Sequence, residues 1–177
     1  MRTQLSDGRV TIRAYDQRDA PALLEATLES VAELRPFMPW AHAAYSLEEA
    51  EHWMSICLDN WARAYEYQFG MYAVASGAYL GSCGLSSIST ENRFANLGYW
   101  VRTSCTGQGV ATAATRLLAR LGFEDLGLER IEIFMSVENL ASRRVAEKAG
   151  ATFEGTLRRR LRLHARQHDA HMFSLVR

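Results

Sequence analysis

"TSCTGQGVATAATRLL", residues 103–118, passes from a small, polar, twice-glycine run straight into a helix-like repeat. Helix N-termini leave backbone N–H groups unpaired and carry partial positive charge, and glycines just ahead let an anion approach the backbone. Gly107, Gln108 and Gly109, with Val110 opening the helix, offer that geometry. The plain alternative is a strand-to-helix turn, and glycine spacing alone leaves both open. The pattern is neither a Walker loop, having no Gly-Lys-Ser/Thr, nor GxGxxG.

The reading extends outward in both directions. "FANLGYWVR" ahead of the stretch is a strand. Gly109 to Gly122 is a helix with Val110, Ala114, Leu117 or Leu118 and Leu121 on one face. "ERIEIFMSV" then alternates, with Ile131, Ile133, Met135 and Val137 on one side. "NLASRRVAEKAG" is a short helix ended by Gly150, and "TFEGTLRRRLRL" and "HMFSLV" are paired strands. Toward the N-terminus, "GRVTIRAY" is a first strand and Asp16 caps "QRDAPALLEATLESVAEL" as a helix. "LRPFMPWAHAAY" is a proline-broken, aromatic connection. Ser46 and Glu49 form a capping box that opens a second helix running to about Ala64. "FGMYAVA" and "YLGSCGLSSI" are strands joined at Ser76-Gly77. The order β-α-α-β-β-β-α-β-α-β-β fits neither an all-parallel sheet nor a sandwich. It predicts one α/β (α+β) domain over residues 1–177, with a mixed, mostly antiparallel central sheet and helices on both faces.

Composition narrows the function classes. The 177 residues carry no formal net charge, so nothing pulls the whole chain toward nucleic acid or membrane. No apolar run approaches the ~20 residues of a membrane span, and "MRTQLSDGRV" lacks the apolar core of a signal peptide. Cys57, Cys83 and Cys105 have no CxxC spacing; they read as reduced thiols of a cytoplasmic protein without a metal site. Charge segregates along the chain: residues 141–177 are rich in arginine, and Arg158, Arg159, Arg160 and Arg162 crowd one strand. Such a strand is either a solvated face or a surface for an acidic acceptor or RNA.

"GYWVR…GQGVAT", followed some thirty residues later by "VENLASRRVAEKAGATFEG", resembles the GNAT superfamily of acyl-CoA-dependent N-acetyltransferases. Within it the match is nearest to the ribosomal-protein N-terminal acetyltransferases (RimJ/RimL-like). "LRPFMPWA" and "YLGSCGL" extend the likeness over most of the chain. The resemblance implies the GNAT fold and acetyl-CoA as cofactor. By that likeness Gly107, Gln108, Gly109, Val110, Ala111 and Thr112 hold the pyrophosphate of coenzyme A through their amides. Trp100 and Val101, at the splayed end of the preceding strand, pair with the pantetheine arm. The family usually has Arg or Gln three residues before the key glycine, where this chain has Thr106. Arg102 is the candidate to restore that charge.

Asn139 and Ser142 form an N-x-x-S unit at the start of the short helix, where plain capping explains both. By the resemblance, Asn139 orients the cofactor arm and Ser142 hydrogen-bonds the coenzyme sulfur and protonates the departing thiolate. The implied mechanism is direct attack of an amine on the thioester, without a covalent enzyme intermediate. The base is the gap. Three positions where relatives place a carboxylate hold Asn96, Ala113 and Leu161, leaving His42, His52, Glu91, His164 and Asp169 as candidates. Trp40 and Tyr45, with Phe37 and Met38, stand by resemblance at the border of the acceptor cleft. Cys105, beside the phosphate loop, is either an inert small side chain or a thiol able to form a mixed disulfide with coenzyme A.

An enzyme without an obvious carboxylate base matches an amine that is easily deprotonated. The acceptor is therefore expected to be a primary α-amine: a protein or peptide N-terminus, or a small molecule. Antibiotic or aminoacyl-nucleotide detoxification stays open as an alternative, as does a catalytically impaired, coenzyme-binding regulatory module. A homodimer and a ribosome or RNA contact are the further partner expectations.

Overall fold

The computed structural model describes residues 1–177. Eight strands form one sheet in the order β1-β2-β3-β4-β5-β6-β8-β7, antiparallel except where β5 meets β6. The strands are β1 (Gln4–Ser6), β2 (Val10–Ala14), β3 (Tyr67–Ala73), β4 (Tyr79–Ser89), β5 (Phe94–Val101), β6 (Arg130–Ser136), β7 (Thr152–Leu163) and β8 (Arg166–Val176). Helices α1 (Ala20–Glu29), α2 (Val31–Leu34) and α3 (Leu47–Ala62) precede β3; α4 (Val110–Glu124) joins β5 to β6, and α5 (Leu140–Ala149) joins β6 to β7. No helix is long and apolar enough to cross a membrane.

The helices cover both faces and divide the core in two. On one side α4 lays Val110, Ala114, Leu117, Leu118 and Leu121 against Ile12, Phe69, Leu85, Leu97, Ile131 and Ile133. On the other, Leu23 and Ala26 of α1 and Ala50, Met54 and Cys57 of α3 meet Tyr79 and Trp100. The helical and alternating patterns of the sequence map onto these layers because each apolar stripe has a sheet face to cover. Leu118 is fully buried, so its truncation to alanine should cost about 2–5 kcal/mol.

Local signals act where the sequence placed them. Ser46 caps α3: its Oγ accepts from Glu49 N at 3.2 Å while Glu49 Oε2 accepts from Ser46 N at 2.9 Å. Gly150 ends α5 in the left-handed conformation, φ 97°. Two expectations need correction. The N-terminal strand is preceded by β1, whose Leu5 pairs with Ile12 and is buried; three residues are too few for a periodicity to show. The first long helix is also interrupted. Asp16 caps only a 3-10 turn, Gln17–Asp19, ahead of α1, and the run breaks at Ser30, whose buried Oγ accepts from Thr103 N at 3.0 Å instead of continuing the helix.

Candidate active site

β5 pairs with β4 along its whole length but with β6 only through Phe94–Arg130, Ala95–Ile131 and Asn96–Glu132. Beyond Asn96 the two parallel strands part, and β6 turns its other edge to β8. The inner edge of β5, from Leu97 to Val101, therefore faces a cleft rather than a strand. Backbone groups on such an edge need a partner, and an extended amide-bearing arm laid in the gap would supply one.

The phosphate loop closes one end of this cleft. Gly107 and Gly109 take positive φ, 73° and 79°, with open space where a Cβ would stand. Their glycines serve backbone conformation rather than tight packing. Gly109 is the N-cap of α4 and gives no side-chain cap, so the amides of Val110, Ala111 and Thr112 keep their first-turn donors free. The loop is also tied down from outside: Ser104 N donates to Glu29 Oε1 at 2.9 Å, and Thr103 Oγ1 to Glu33 Oε2 at 3.0 Å. These α1 and α2 anchors, about seventy residues upstream, carried no signal in the sequence.

Trp100, Val101, Gly107, Gly109, Val110, Ala111, Thr112, Asn139 and Ser142 all line this cleft of about 440 Å³, together with Cys105 and Thr106. Two expected members do not. Gln108 turns its amide to Ser104 O at 3.1 Å. Arg102 is drawn away by two carboxylates, Glu25 and Glu29, on α1. A groove beside the loop carries basic side chains from α4 and α5. Thr112, Arg116 and Arg120 are spaced i, i+4, i+8, and they line a groove with Gly109, Arg9 and Lys148, with one carboxylate, Asp7, beside them. The groove adjoins the free amides. Together the amide row, the unpaired strand edge and the basic groove fit an anionic cofactor with a long amide-containing arm.

At the middle of the cleft, Asn139 caps α5, its Oδ1 accepting from Ser142 N at 3.0 Å. Capping and a cofactor contact are compatible, since both residues line the cleft. Ser142 has a partner the sequence did not reveal: the Tyr99 hydroxyl lies 3.1 Å from Ser142 Oγ and donates to Ser142 O at 3.0 Å. Burial pushes the Tyr99 phenol up to about 12, so it stays a protonated donor at neutral pH.

Tyr99 and Trp100 also line a second cleft, of about 530 Å³, on the α1/α3 side of β5. Its walls include Trp40, Tyr45, Trp53, Ile56 and Met38, with Gly98 at its floor. Trp40, still 42% exposed, packs at tilted angles on Tyr45 (5.9 Å between centroids) and Trp100 (6.0 Å). Burial, then the nearby Glu49 charge, raises the Tyr45 phenol to about 12. Of the five candidate bases, His42 and His52 line this cleft. His42 Nε2 lies 2.9 Å from Glu49 Oε1, and that bond holds the Glu49 carboxyl below its usual range. The other three stand elsewhere. Glu91 is exposed in the β4–β5 turn, His164 bonds Arg35 O at 2.6 Å, and Asp169 Oδ1 accepts from Arg159 N at 2.8 Å. All three cysteines are free; burial raises the Cys57 thiol to about 12, and Cys105 alone lines the cofactor cleft.

Two clefts meeting at one strand suit transfer of a group from a bound carrier to a second molecule, and known proteins share the fold. The Bacillus subtilis protein named "Putative ribosomal N-acetyltransferase YdaF" is 31% identical over 170 residues, 95% of this chain and 91% of that one. RimL, a ribosomal L7/L12 alpha-N-protein acetyltransferase solved with coenzyme A, superposes with a TM-score of 0.88 at 25% identity, covering 98% of this chain and 97% of that one. The Salmonella typhimurium acetyltransferase that modifies the N-terminal serine of L7/L12 gives 0.84 at 25% identity, over 96% and 95% of the two chains. Residues 9–152 match the acetyltransferase (GNAT) domain model; this chain belongs to the GNAT acetyltransferase family.

Proposed function

We propose that this acetyl-CoA-dependent N-acetyltransferase acts on the α-amine of a protein or peptide N-terminus. The observation that carries this reading is the state of the one acid in the acceptor cleft. Both oxygens of Glu49 are engaged, one by His42 and one by Ser46 N, and Asn96, Ala113 and Leu161 stand where a carboxylate would otherwise be expected. A lysine amine of pKa ~10.4 needs ~4 kcal/mol to lose its proton near pH 7.5, whereas an α-amine at ~7.7–8.0 needs under ~1 kcal/mol. A cleft without a free carboxylate suits the second.

Bound acetyl-CoA supplies a thioester carbonyl open to direct attack. The chain's own groups do the rest. The amides of Val110 to Thr112 and the basic groove hold the anionic end, and the inner edge of β5 aligns the arm. Ser142, which lines the first cleft and is hydrogen-bonded to Tyr99 at the junction, offers its hydroxyl to the departing sulfur. A serine hydroxyl is a weak acid, so its help is chiefly a hydrogen bond to developing negative charge. Trp40, Tyr45 and Trp100 give the acceptor an apolar seat that excludes water from the amine.

Thiol release from acetyl-CoA tests the reading, with free-N-terminus peptides, N-blocked lysine peptides, polyamines and aminoacyl nucleotides as acceptors at pH 7 and pH 9. Strong release with free α-amines at pH 7, and little from blocked lysine peptides, is expected. Equal rates for lysine side chains would overturn the α-amine assignment. Silence throughout, with coenzyme bound in calorimetry, would indicate a regulatory coenzyme-binding module instead.

A further inference from the structure

The acceptor cleft presents two imidazoles, and only His42 is joined to a carboxylate. The carboxylate is itself fixed, because Glu49 Oε2 accepts from Ser46 N at 2.9 Å in the capping box that starts α3. A carboxylate can only accept in this bond, so His42 Nε2 carries the proton and donates to Glu49 Oε1 at 2.9 Å. In the neutral ring the second nitrogen, Nδ1, keeps its lone pair. The ring is held from a second direction by Tyr45, edge-on at 6.0 Å between centroids. A base lining the acceptor cleft, set in one tautomer by a carboxylate anchored elsewhere, is the arrangement expected of a proton acceptor.

We propose that His42, oriented by Glu49, is the general base that takes the proton from the acceptor amine. The inference rests on the α-amine reading above and names the group that serves it. The amine nitrogen forms its bond to the thioester carbonyl carbon and the carbon–sulfur bond breaks. One proton leaves the nitrogen for His42 Nδ1, directly or through one water, and the sulfur leaves with the bonding pair and takes up one proton, by way of Ser142 or from solvent. His42 then gives up its proton to solvent, so the imidazole is unchanged over a turnover. The titratable groups sharing the cleft are Tyr45 beside the ring, Glu49 and His52 from α3, Cys83 from β4 and Tyr99 from β5. The two tyrosines and Cys83 are pushed upward by burial and stay neutral at neutral pH. Glu49, held below the usual carboxylate range by His42, stays charged at neutral pH.

The test uses the full chain, acetyl-CoA and a free-N-terminus peptide that the wild type acetylates. His42→Gln should lower kcat about a hundredfold at pH 7 with the KM for acetyl-CoA unchanged. The acidic limb that His42 adds to the pH–rate profile of kcat should vanish. Glu49→Gln keeps the capping box, since Gln serves at that position, yet should lower kcat about tenfold and move the acidic limb. In nitrogen-15 spectra of the resting enzyme, His42 should show the Nε2–H tautomer, and Glu49→Gln should mix the two tautomers. Three results would overturn the assignment: an acidic limb that survives in His42→Gln; its loss in His52→Gln instead; or a raised acceptor KM at unchanged kcat, which would make His42 a recognition group. Melting temperatures of the variants separate each from misfolding. A wild type silent toward every α-amine would fail the functional reading itself, whereas an active wild type indifferent to His42→Gln fails this inference alone.

Discussion

The two clefts that meet at Tyr99 and Trp100 are built from different materials. The cofactor cleft is mostly backbone: three free amides at the start of α4, two positive-φ glycines and one unpaired strand edge. The acceptor cleft is mostly side chains, with Trp40, Tyr45 and Trp53 as walls and His42 and Glu49 as its polar pair. Backbone chemistry is the same for every residue type, so the first cleft depends on conformation and tolerates changes that respect it. The second depends on which side chains are present. One would expect the first to be constant in what it binds and the second to set what is modified.

The junction gives the largest contrast. Ser142→Ala should cut kcat about a hundredfold while coenzyme affinity, measured by calorimetry, changes less than about threefold. Equal losses in both would reduce Ser142 to a member of the α5 cap. Next comes the loop itself. Gly109→Ala places a Cβ at φ 79°, a strain of about 1–2 kcal/mol, so the KM for acetyl-CoA should rise about tenfold with acceptor KM unmoved. Trp40→Ala should do the converse. Acceptor KM rises about fivefold, and because Trp40 is nearly half exposed the melting temperature moves by no more than about 2 °C. A cofactor effect from Trp40 would break the division between the clefts.

How far the sequence revealed each cleft follows from the same contrast. The cofactor cleft was legible because a strand, two glycines and a helix start are consecutive along the chain. The spacing from Trp100 to Thr112 is itself the geometry. What the sequence did not show there is where the side chains of Gln108 and Arg102 turn, because partners such as Ser104 O, Glu25 and Glu29 set their directions. The basic groove was hidden for the opposite reason: Arg116 and Arg120 lie on the polar stripe of α4, where arginines ordinarily meet only water. In the acceptor cleft, the Ser46–Glu49 capping box was readable, but not that Glu49 has an oxygen left for His42. Tyr99 was seen as a strand residue, and its bond to Ser142 spans forty-three positions. Strand order beyond β6 could not be read either, since the reversal of β8 and β7 leaves no local trace.

Two smaller effects sharpen the picture. Arg116→Gln with Arg120→Gln should weaken coenzyme binding about threefold to fivefold at low salt, the gap closing near 0.5 M salt, because exposed charges are screened there. Isothermal titration at two ionic strengths reads this directly. The smallest effect lies away from both clefts. Glu154 is held down to about 2, first by Arg130 and then by Ser174, clipping β7 to β6 and β8. A lowered carboxyl pKa stabilises the folded state fully above the unfolded value of ~4.3, and the contribution fades as pH falls toward 2. The pair is largely solvent-exposed, so Glu154→Gln should cost under about 1 kcal/mol at pH 7 and nearly nothing at pH 2, without changing either KM.

The long outer strand carries a last consequence. The sheet ends on one side at β1, only three residues, and on the other at β7, with twelve. An open strand of that length is a template on which another chain can grow. Here Arg158, Arg159, Arg160 and Arg162 crowd its far half, none with an acidic side chain in ion-pair range, and the register with β8 breaks between Leu157 and Leu161. Arg159 sits at φ 52°, bending the row of backbone donors out of line. Two copies laid edge to edge along this half would set guanidinium against guanidinium on a kinked template. Charge and a kink on an outer strand both work against edge-to-edge addition of further strands, the route by which open sheets grow into fibres.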